Sequence, residues 1–267
     1  MKISFSTLGC PRWSWQEITA TACDLGYGGV EVRGVGKDIS VPSIPAFSEE
    51  NIKQTKADLD RLGLSIPCLD SDCCIHLREN EQMTNAEIKT YVKLAKQLGV
   101  PYVRVFATAP VPQPIGTVDE GYVQKRLVEL GHYAAEHGIK LLVETHGVWS
   151  DSEKLARLMS TVSNDGVGVL WDVHHPYRFM GEKPETTYKN LRPWLCHTHF
   201  KDSVSTVDGF RYAMPGFGDL PLEEIVGILK AGGYEGFYSL EWVKRWDITL
   251  EEPGIVFAHY ANYMHTL

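Results

Sequence analysis

A repeating junction, in which a helix ends at glycine and an apolar residue begins the next strand, constrains the fold of this chain most strongly. The junctions are centred on Gly26, Gly63, Gly99, Gly138 and Gly233. The first four follow one another at intervals of 37, 36 and 39 residues, and each interval fits one strand–helix unit. Glycine suits the left-handed residue just past a helix end. The pattern therefore predicts a chain of successive βα units.

Eight segments of the chain have the apolar content of strands. Eight βα units without an internal change in composition favour an α/β protein, a single-domain (β/α)8 TIM barrel over residues 1–267, rather than a six-stranded open sheet. The segment before the seventh strand gives only a short helical signal. The predicted strands span 3–9, 29–34, 65–72, 102–107, 140–147, 167–175, 195–201 and 237–242.

Loops and helix starts add detail to this prediction. Long loops are expected as insertions at about 72–84 and 203–220. Because both follow a strand, they would lie at the C-terminal face, where barrels build active sites. Three helices are predicted to begin with a capping box, a Ser or Thr followed at the third position by Glu. The pairs are Ser14 with Glu17, Thr117 with Glu120, and Ser150 with Glu153.

Charge and cysteine content argue against several classes of function. The 26 Lys and Arg residues against 34 Asp and Glu residues give a net charge of −8, which opposes nucleic-acid binding because phosphate neutralisation dominates that affinity. The six cysteines include no CxxC pair, which argues against a structural zinc module and fits reduced thiols. The chain begins as a strand rather than as a signal peptide, and no apolar run is long enough to span a membrane. We therefore expect a cytoplasmic protein with no nucleic-acid or membrane partner.

Acidic and histidine residues stand at or near the ends of the last four predicted strands. They are Glu144, Asp172, His199 and Glu241. In a barrel all four would point into one mouth, and three carboxylates with one imidazole make an oxygen-rich site that suits Mn²⁺, Mg²⁺ or Co²⁺ better than structural Zn²⁺. Any one of them alone would more commonly cap a helix or form a loop salt bridge. The prediction of one divalent metal ion therefore depends on all four being in register.

The sequence resembles the xylose isomerase-like TIM barrels, in the branch of sugar isomerases and epimerases, over essentially the whole chain. The motifs that carry the resemblance are a strand-five Glu at 144, D-x-x-H at 172–175, H-x-H at 197–199, GxGD at 216–219 and GY-x-G-x-x-x-x-E at 233–241. The resemblance implies that Glu144, Asp172, His199 and Glu241 bind one divalent metal, with Mn²⁺ favoured and Mg²⁺, Co²⁺ or Zn²⁺ left open. It also implies that Glu144 and Glu241 move the proton.

Five further residues are candidates for substrate contact. In the family the D-x-x-H histidine binds substrate, which implies that role for His175; a hydrogen bond to a backbone carbonyl is the alternative. His146, two residues past the strand-five glutamate, could orient that glutamate or touch substrate. Three charged residues stand where inward-facing core is expected, and a buried charge is costly unless paired. Each of these therefore contacts substrate or forms a structural pair: Glu31, Arg104 and Lys201.

Residues and resemblance together predict a metal-dependent isomerase or epimerase of a keto-sugar or related polyol. A divalent cation bound to the ketone and a neighbouring hydroxyl polarises the carbonyl and stabilises the enediolate. A carboxylate that keeps one oxygen free can act as the base. The family's tagatose-type epimerases carry an arginine six residues after the metal histidine, where this chain has Ser205, which puts that subgroup's sugar contacts in doubt.

Two other functions remain open. A lyase on the same scaffold, an inosose-type dehydratase or a 3-keto-glycoside eliminase, begins with the same proton abstraction. A sugar-binding barrel without catalysis is the other, and the complete ligand set argues against it. Aromatic residues follow the strands that carry the predicted metal ligands; they are Trp149, Tyr177, Phe179, Trp242 and Trp246. They fit stacking on a sugar ring as well as packing under the loops or at a subunit interface, so a homo-oligomer is left open.

Overall fold

A computed structural model describes residues 1–267, which contain ten strands and nine α-helices. The strands are β1 (Lys2–Ser6), β2 (Gly29–Glu31), β3 (Cys68–Cys74), β4 (Tyr102–Phe106), β5 (Lys140–Glu144), β6 (Val167–Asp172), β7 (Leu195–Phe200), β8 (Asp202–Thr206), β9 (Gly209–Ala213) and β10 (Phe237–Leu240). The helices are α1 (Trp15–Asp24), α2 (Ile52–Leu62), α3 (Glu81–Leu98), α4 (Glu120–Glu136), α5 (Ser152–Thr161), α6 (His174–Met180), α7 (Pro184–Leu191), α8 (Leu222–Ala231) and α9 (Pro253–Thr266).

The chain divides into two compact units. The first comprises Met1–Pro67 and Thr198–Leu267, and the second comprises Cys68–His197. Strand β7 contributes its first three residues to the second unit and its last three to the first. Each unit is described by itself below.

The first unit orders its parallel strands β2-β1-β10-β7. Phe5 of β1 is in register with Val30 on one side and with Leu240 on the other. Its ring stacks on Phe257 of α9 with centroids 4.0 Å apart and meets the edge of Tyr27 at 4.9 Å. Burial of these rings joins α9 to the sheet, because large aromatic side chains contribute much of the apolar area a core removes from water.

The second unit orders its strands β7-β6-β5-β4-β3. Parallel pairing puts Asp70, Arg104 and Leu142 in register across β3, β4 and β5. A tightly buried cluster lies in this part of the sheet, made of Cys68, Leu142 and Leu170 with Tyr102 and Cys196 packed against it. Strands buried on both faces read as continuous apolar runs, which is why β5 and β6 were recognisable in the sequence.

All eight predicted strands of the main sheet are confirmed, with shorter bounds in most of them. The sixth strand is three residues shorter than predicted, because β6 ends at Asp172 and His174 and His175 already belong to α6. The prediction of a strand through residue 175 was wrong because the Asp172 carboxylate accepts the backbone N–H groups of both histidines and starts a helical turn. The short helix expected before the seventh strand is α7.

The two long predicted loops contain regular structure. In the first, β3 continues to Cys74 and α3 begins at Glu81. In the second, β8 and β9 form an antiparallel hairpin from Asp202 to Ala213. Asp202 organises this segment, because its carboxylate accepts hydrogen bonds from the backbone N–H groups of Ser203, Gly216, Gly218 and Leu220.

Helix ends follow the predicted glycines more closely than helix starts follow the predicted capping boxes. The five junction glycines have positive φ between 67° and 76°, as expected just past a helix end. The capping box at Ser14 is confirmed. The other two were wrong. Asp119 accepts the backbone N–H of Tyr122 and Asp151 accepts that of Lys154, so these aspartates cap the helices in place of the expected residues. No helix in the structure is long and apolar enough to cross a membrane.

Candidate active site

In the second unit, two of the acidic residues predicted to bind metal end neighbouring strands. Glu144 is the last residue of β5 and Asp172 the last of β6, and both are buried. Thr145 joins these strand ends. Its hydroxyl accepts a hydrogen bond from the Asp172 backbone N–H at 2.9 Å and donates one to the Asp172 carbonyl at 3.1 Å. The main chain of Asp172 is therefore fixed by the residue that follows Glu144.

His175 lies beside both acids and is held by a main-chain carbonyl. Its Nδ1 is 2.8 Å from the Thr145 carbonyl oxygen, and a carbonyl only accepts, so Nδ1 is the donor of this hydrogen bond. Nδ1 is also 4.0 Å from Glu144 Oε1 and 3.8 Å from Asp172 Oδ1. The ring of His146 meets the His175 ring edge-on at 5.1 Å. The structure thus brings both predicted histidines together, with His175 beside the acids.

Arg104 lies between two buried carboxylates of the same unit. Its Nε is 3.6 Å from Asp70 Oδ1 and its Nη1 is 3.5 Å from Glu144 Oε2. The guanidinium also covers the ring of Phe106 at 4.0 Å. All three charged side chains are at most 3% exposed. Such a group is stable only because each charge is compensated, since an isolated buried charge is very costly.

In the first unit, His199 of β7 is held by Glu31 of β2. His199 Nε2 donates to Glu31 Oε1 at 2.8 Å, while the hydroxyl of Ser239 donates to Glu31 Oε2. The other ring nitrogen of His199, Nδ1, is 3.5 Å from Glu241 Oε1. A carboxylate that takes the remote N–H of a histidine and so aims its other nitrogen is the arrangement typical of metal-binding histidines.

Glu241 directly follows β10 and is paired with Lys201, which directly follows β7. Lys201 Nζ donates to Glu241 Oε2, and both side chains are at least nine-tenths buried. The backbone N–H of Glu241 donates to the Phe200 carbonyl at 2.9 Å. The ammonium compensates the negative charge of Glu241, and the pairing of β10 with β7 fixes the backbone position of Glu241.

Three residues of these networks were not predicted as site residues. Asp70 and Ser239 are polar residues inside buried strands, the signal that identified Glu31 and Arg104, so the sequence carried a hint of them. Thr145 carried none, since a threonine at a strand end is ordinary. Three of the five predicted substrate contacts bind other side chains of the protein here, so their contact with substrate stays a prediction; they are Glu31, Arg104 and Lys201.

Buried acidic and histidine side chains of this chain form groups that could hold a metal ion. Within the second unit, for example, Asp172, His174 and His175 offer ligand atoms within 4.8 Å of one another. Imidazole nitrogens and carboxylate oxygens together suit several divalent metals. The residues therefore support a metal site without identifying the ion.

Comparison with known proteins places the chain among sugar-modifying enzymes. The sequence model of one family, described as xylose isomerase-like TIM barrel, matches residues 20–257. Fructoselysine 3-epimerase of Shigella flexneri is 25% identical over 267 residues, covering 96% of this chain and 94% of the epimerase. Inosose dehydratase of Clostridium botulinum strain Alaska E43 is 30% identical over 133 residues, covering 43% of this chain and 44% of the dehydratase.

Solved structures agree on the fold. The probable 3-DHS dehydratase AsbF of Bacillus anthracis superposes with a TM-score of 0.82 at 19% identity, covering 99% of each chain. The IOLI protein, solved with a zinc atom, gives a TM-score of 0.79 at 19% identity over 99% of this chain and 97% of its own. A Mycobacterium smegmatis barrel in complex with magnesium gives 0.77 at 18% identity over 98% and 95%. These matches confirm the predicted single-domain TIM-barrel fold.

Proposed function

The chain belongs to the xylose isomerase-like TIM barrel family, and from this premise we propose that it is a divalent-metal-dependent isomerase or epimerase of a keto-sugar or related polyol. Epimerases and dehydratases among its relatives support enzymatic activity on a sugar or polyol. The full-length match to fructoselysine 3-epimerase favours epimerisation over the partial match to inosose dehydratase.

Four residues are proposed to bind the metal: Glu144, Asp172, His199 and Glu241. Glu144 and Asp172 end their strands, His199 is the last residue but one of β7, and Glu241 follows β10. Substrates and catalytic groups of TIM barrels lie at that end of the strands. All four are buried, and their carboxylate oxygens and imidazole nitrogens are ligand atoms that divalent metals accept. The observation that carries the assignment is the 2.8 Å hydrogen bond between His199 Nε2 and Glu31, because a carboxylate that takes the Nε2 proton leaves Nδ1 as the ligand atom.

The metal is proposed to be Mn²⁺, because three carboxylates and one imidazole suit a hard divalent ion. Mg²⁺, Co²⁺ and Zn²⁺ are the alternatives, and relatives have been solved with magnesium and with zinc. When bound, such an ion polarises a carbonyl and so acidifies the neighbouring C–H.

Glu144 and Glu241 are proposed as the two groups that move the proton. Glu144 has one carboxylate oxygen near Arg104, and Glu241 has one near Lys201. Each cation compensates the negative charge of its carboxylate when that carboxylate is deprotonated. One removes the proton from the carbon next to the carbonyl, and the other returns it from the opposite face. His175 is proposed to bind substrate: a neutral ring with its proton on Nδ1 would accept a hydrogen bond from a substrate hydroxyl at Nε2.

Proton exchange in D₂O tests this proposal. Ketoses, inososes and 3-keto-glycosides are incubated with the Mn²⁺-loaded protein, and deuterium incorporation is followed by NMR. We expect exchange with at least one class, loss of exchange with EDTA, and loss in both Glu144→Gln and Glu241→Gln. The matched control is Glu79→Gln, an exposed carboxylate. Exchange that survives both glutamate substitutions would contradict the assigned roles.

A lyase is the second candidate, favoured by the inosose dehydratases among the relatives. The same proton abstraction followed by loss of a β-leaving group needs an acid, and Lys201 beside Glu241 could supply the proton. Mass spectrometry of the product decides: loss of water or aglycone indicates a lyase, and unchanged mass indicates an isomerase. The cytoplasmic location and the homo-oligomer remain predictions.

A further inference from the structure

Asp202 is a fully buried acid of the first unit, at the start of the hairpin formed by β8 and β9. Its Oδ1 accepts the backbone N–H groups of Ser203 at 2.8 Å and of Leu220 at 3.3 Å. Its Oδ2 accepts the backbone N–H groups of Gly216 and Gly218, each at 2.9 Å. The carboxylate therefore joins the start of the hairpin to the segment that returns from it.

The GxGD motif at 216–219 has a physical reason in this contact. Gly218 does not have a positive φ, so its backbone conformation alone does not require glycine. A Cβ at this position would overlap Asp202 Oδ1, so glycine leaves the room that the acid occupies. The last residue of the motif adds to the same contact, because the Asp219 N–H donates to the Ser203 carbonyl at 2.9 Å.

Lys201 lies between this contact and the strand that leads to Glu241. It belongs neither to β7, which ends at Phe200, nor to β8, which begins at Asp202. On one side of it, the Phe200 carbonyl accepts the Glu241 backbone N–H at 2.9 Å. On the other side, the Asp202 carboxylate is held by its four N–H donors. Because the neighbours fix its main chain, Lys201 directs its Nζ to Glu241 Oε2.

We propose that Asp202 is a positioning residue, which acts through Lys201 to hold the ammonium group on the Glu241 carboxylate. This inference rests on the proposed function, in which Glu241 moves a proton and Lys201 compensates its charge. The lysine side chain is a flexible four-carbon stem, so a fixed main chain narrows where the ammonium can reach. Asp202 fixes that main chain with both of its oxygens, each of which accepts two hydrogen bonds.

Chemical labelling of the full chain in EDTA tests the proposal without metal or substrate. Acetylation of Lys201 by acetic anhydride is followed by mass spectrometry, with Lys244 as the internal control. Both lysines are buried in the first unit, and Lys244 is held elsewhere, by the Ile248 and Leu250 carbonyls. In Asp202→Asn an amide donor replaces one acceptor oxygen and two of the four hydrogen bonds are lost, so Lys201 should react about tenfold faster or more.

The control lysine separates a local effect from a general one. Lys244 should react in Asp202→Asn as slowly as in the unsubstituted protein. Equal acceleration of both lysines would indicate a general loss of stability and overturn the proposal, and so would unchanged labelling of Lys201. Gly218→Ala is the second variant, since its Cβ displaces the Asp202 carboxylate, and it should also accelerate the labelling of Lys201. Gly227→Ala is the matched control, because its Cβ meets nothing within 4 Å, and it should leave labelling unchanged.

The D₂O exchange assay measures whether the position of Lys201 matters for proton transfer. Asp202→Asn should lower the exchange rate about tenfold or more, because the ammonium group is misplaced. In a protein that already carries Lys201→Met, Asp202→Asn should cause no further loss, because both changes act through one ammonium group. Additive losses would overturn the proposal. Selective labelling of Lys201 in Asp202→Asn, in a protein without any exchange activity, would support the positioning of Lys201 by Asp202 and contradict the proposed function.

Discussion

In the second unit Asp172 is held through its main chain, whereas in the first unit His199 is held through its side chain. Thr145 binds both the N–H and the carbonyl of Asp172. Glu31 instead binds the ring of His199, and Ser239 in turn binds Glu31. The first arrangement is a contact between neighbouring strand ends, and the second joins residues that are 168 and 208 positions apart.

The two arrangements control different properties of a ligand. The hydrogen bonds to the main chain fix the backbone position of Asp172, and they form when the ends of β5 and β6 come together. A side-chain clamp fixes which nitrogen of the imidazole carries the proton, and it can be altered without disturbing a strand. We therefore expect removal of the groups that hold the two acids of the second unit to lower stability first, and removal of the groups that hold His199 in the first unit to lower metal affinity first.

The largest expected effect is on stability, from Arg104→Leu in the second unit. Asp70 and Glu144 would lose their shared guanidinium, and breaking a buried ion pair costs about 3–5 kcal/mol. Urea unfolding measures this loss. Lys201→Met, which removes the cation from a single carboxylate in the first unit, should cost less. The exposed pair of Arg61 with Asp58 supplies the control, since Arg61→Leu should cost about 1 kcal/mol or less. Equal losses in all three variants would contradict the comparison.

Thr145→Val comes next, because it keeps the shape of the side chain and removes both hydrogen bonds to Asp172. Leaving buried backbone groups unpaired costs about 1–3 kcal/mol. Thr145→Ser, which retains the hydroxyl, is the matched control and should lose much less. If Thr145→Val unfolds at the same urea concentration as Thr145→Ser, the main chain of Asp172 does not depend on this clamp.

Glu31→Gln tests the side-chain clamp of the first unit. The tautomer of His199 is no longer fixed by a carboxylate, so Mn²⁺ affinity should fall about 10–100-fold while the free energy of unfolding changes less than in Arg104→Leu. Isothermal titration with Mn²⁺ measures the affinity. Glu79→Gln is again the control. Unchanged Mn²⁺ affinity in Glu31→Gln would show that Glu31 does not orient the histidine.

Ser239→Ala should give the smallest effect, because it removes one neutral donor to Glu31 and leaves the carboxylate in place. Mn²⁺ affinity should fall tenfold or less, about the value of one hydrogen bond. Ser4 is the matched control: it is buried, pairs in register with Ser239, and its hydroxyl has no hydrogen-bond partner. Ser4→Ala should bind Mn²⁺ like the unsubstituted protein. A similar loss of Mn²⁺ affinity in both variants would show that Ser239 does not act on His199 through Glu31.

Much of the fold could be predicted because its signals are local. Glycine at a helix end needs only its own φ, and an apolar strand needs only its own residues, so the eight strands and the five junctions were found. The end of β6 was missed because Asp172 competes for the next backbone N–H groups. Two predicted capping boxes were wrong because a nearby aspartate caps the helix instead.

The candidate site shows the same difference between local signals, which the sequence contains, and long-range contacts, which it does not. The sequence by itself determined the order of strands and helices and which acidic, basic and histidine residues come at strand ends, because those follow from local periodicity. Only the tertiary structure decided how each is held: Arg104 between two carboxylates, Lys201 on Glu241, and Glu31 on His199. A buried charge must find its counter-charge somewhere in the fold, and sequence separation carries no information about where that partner lies.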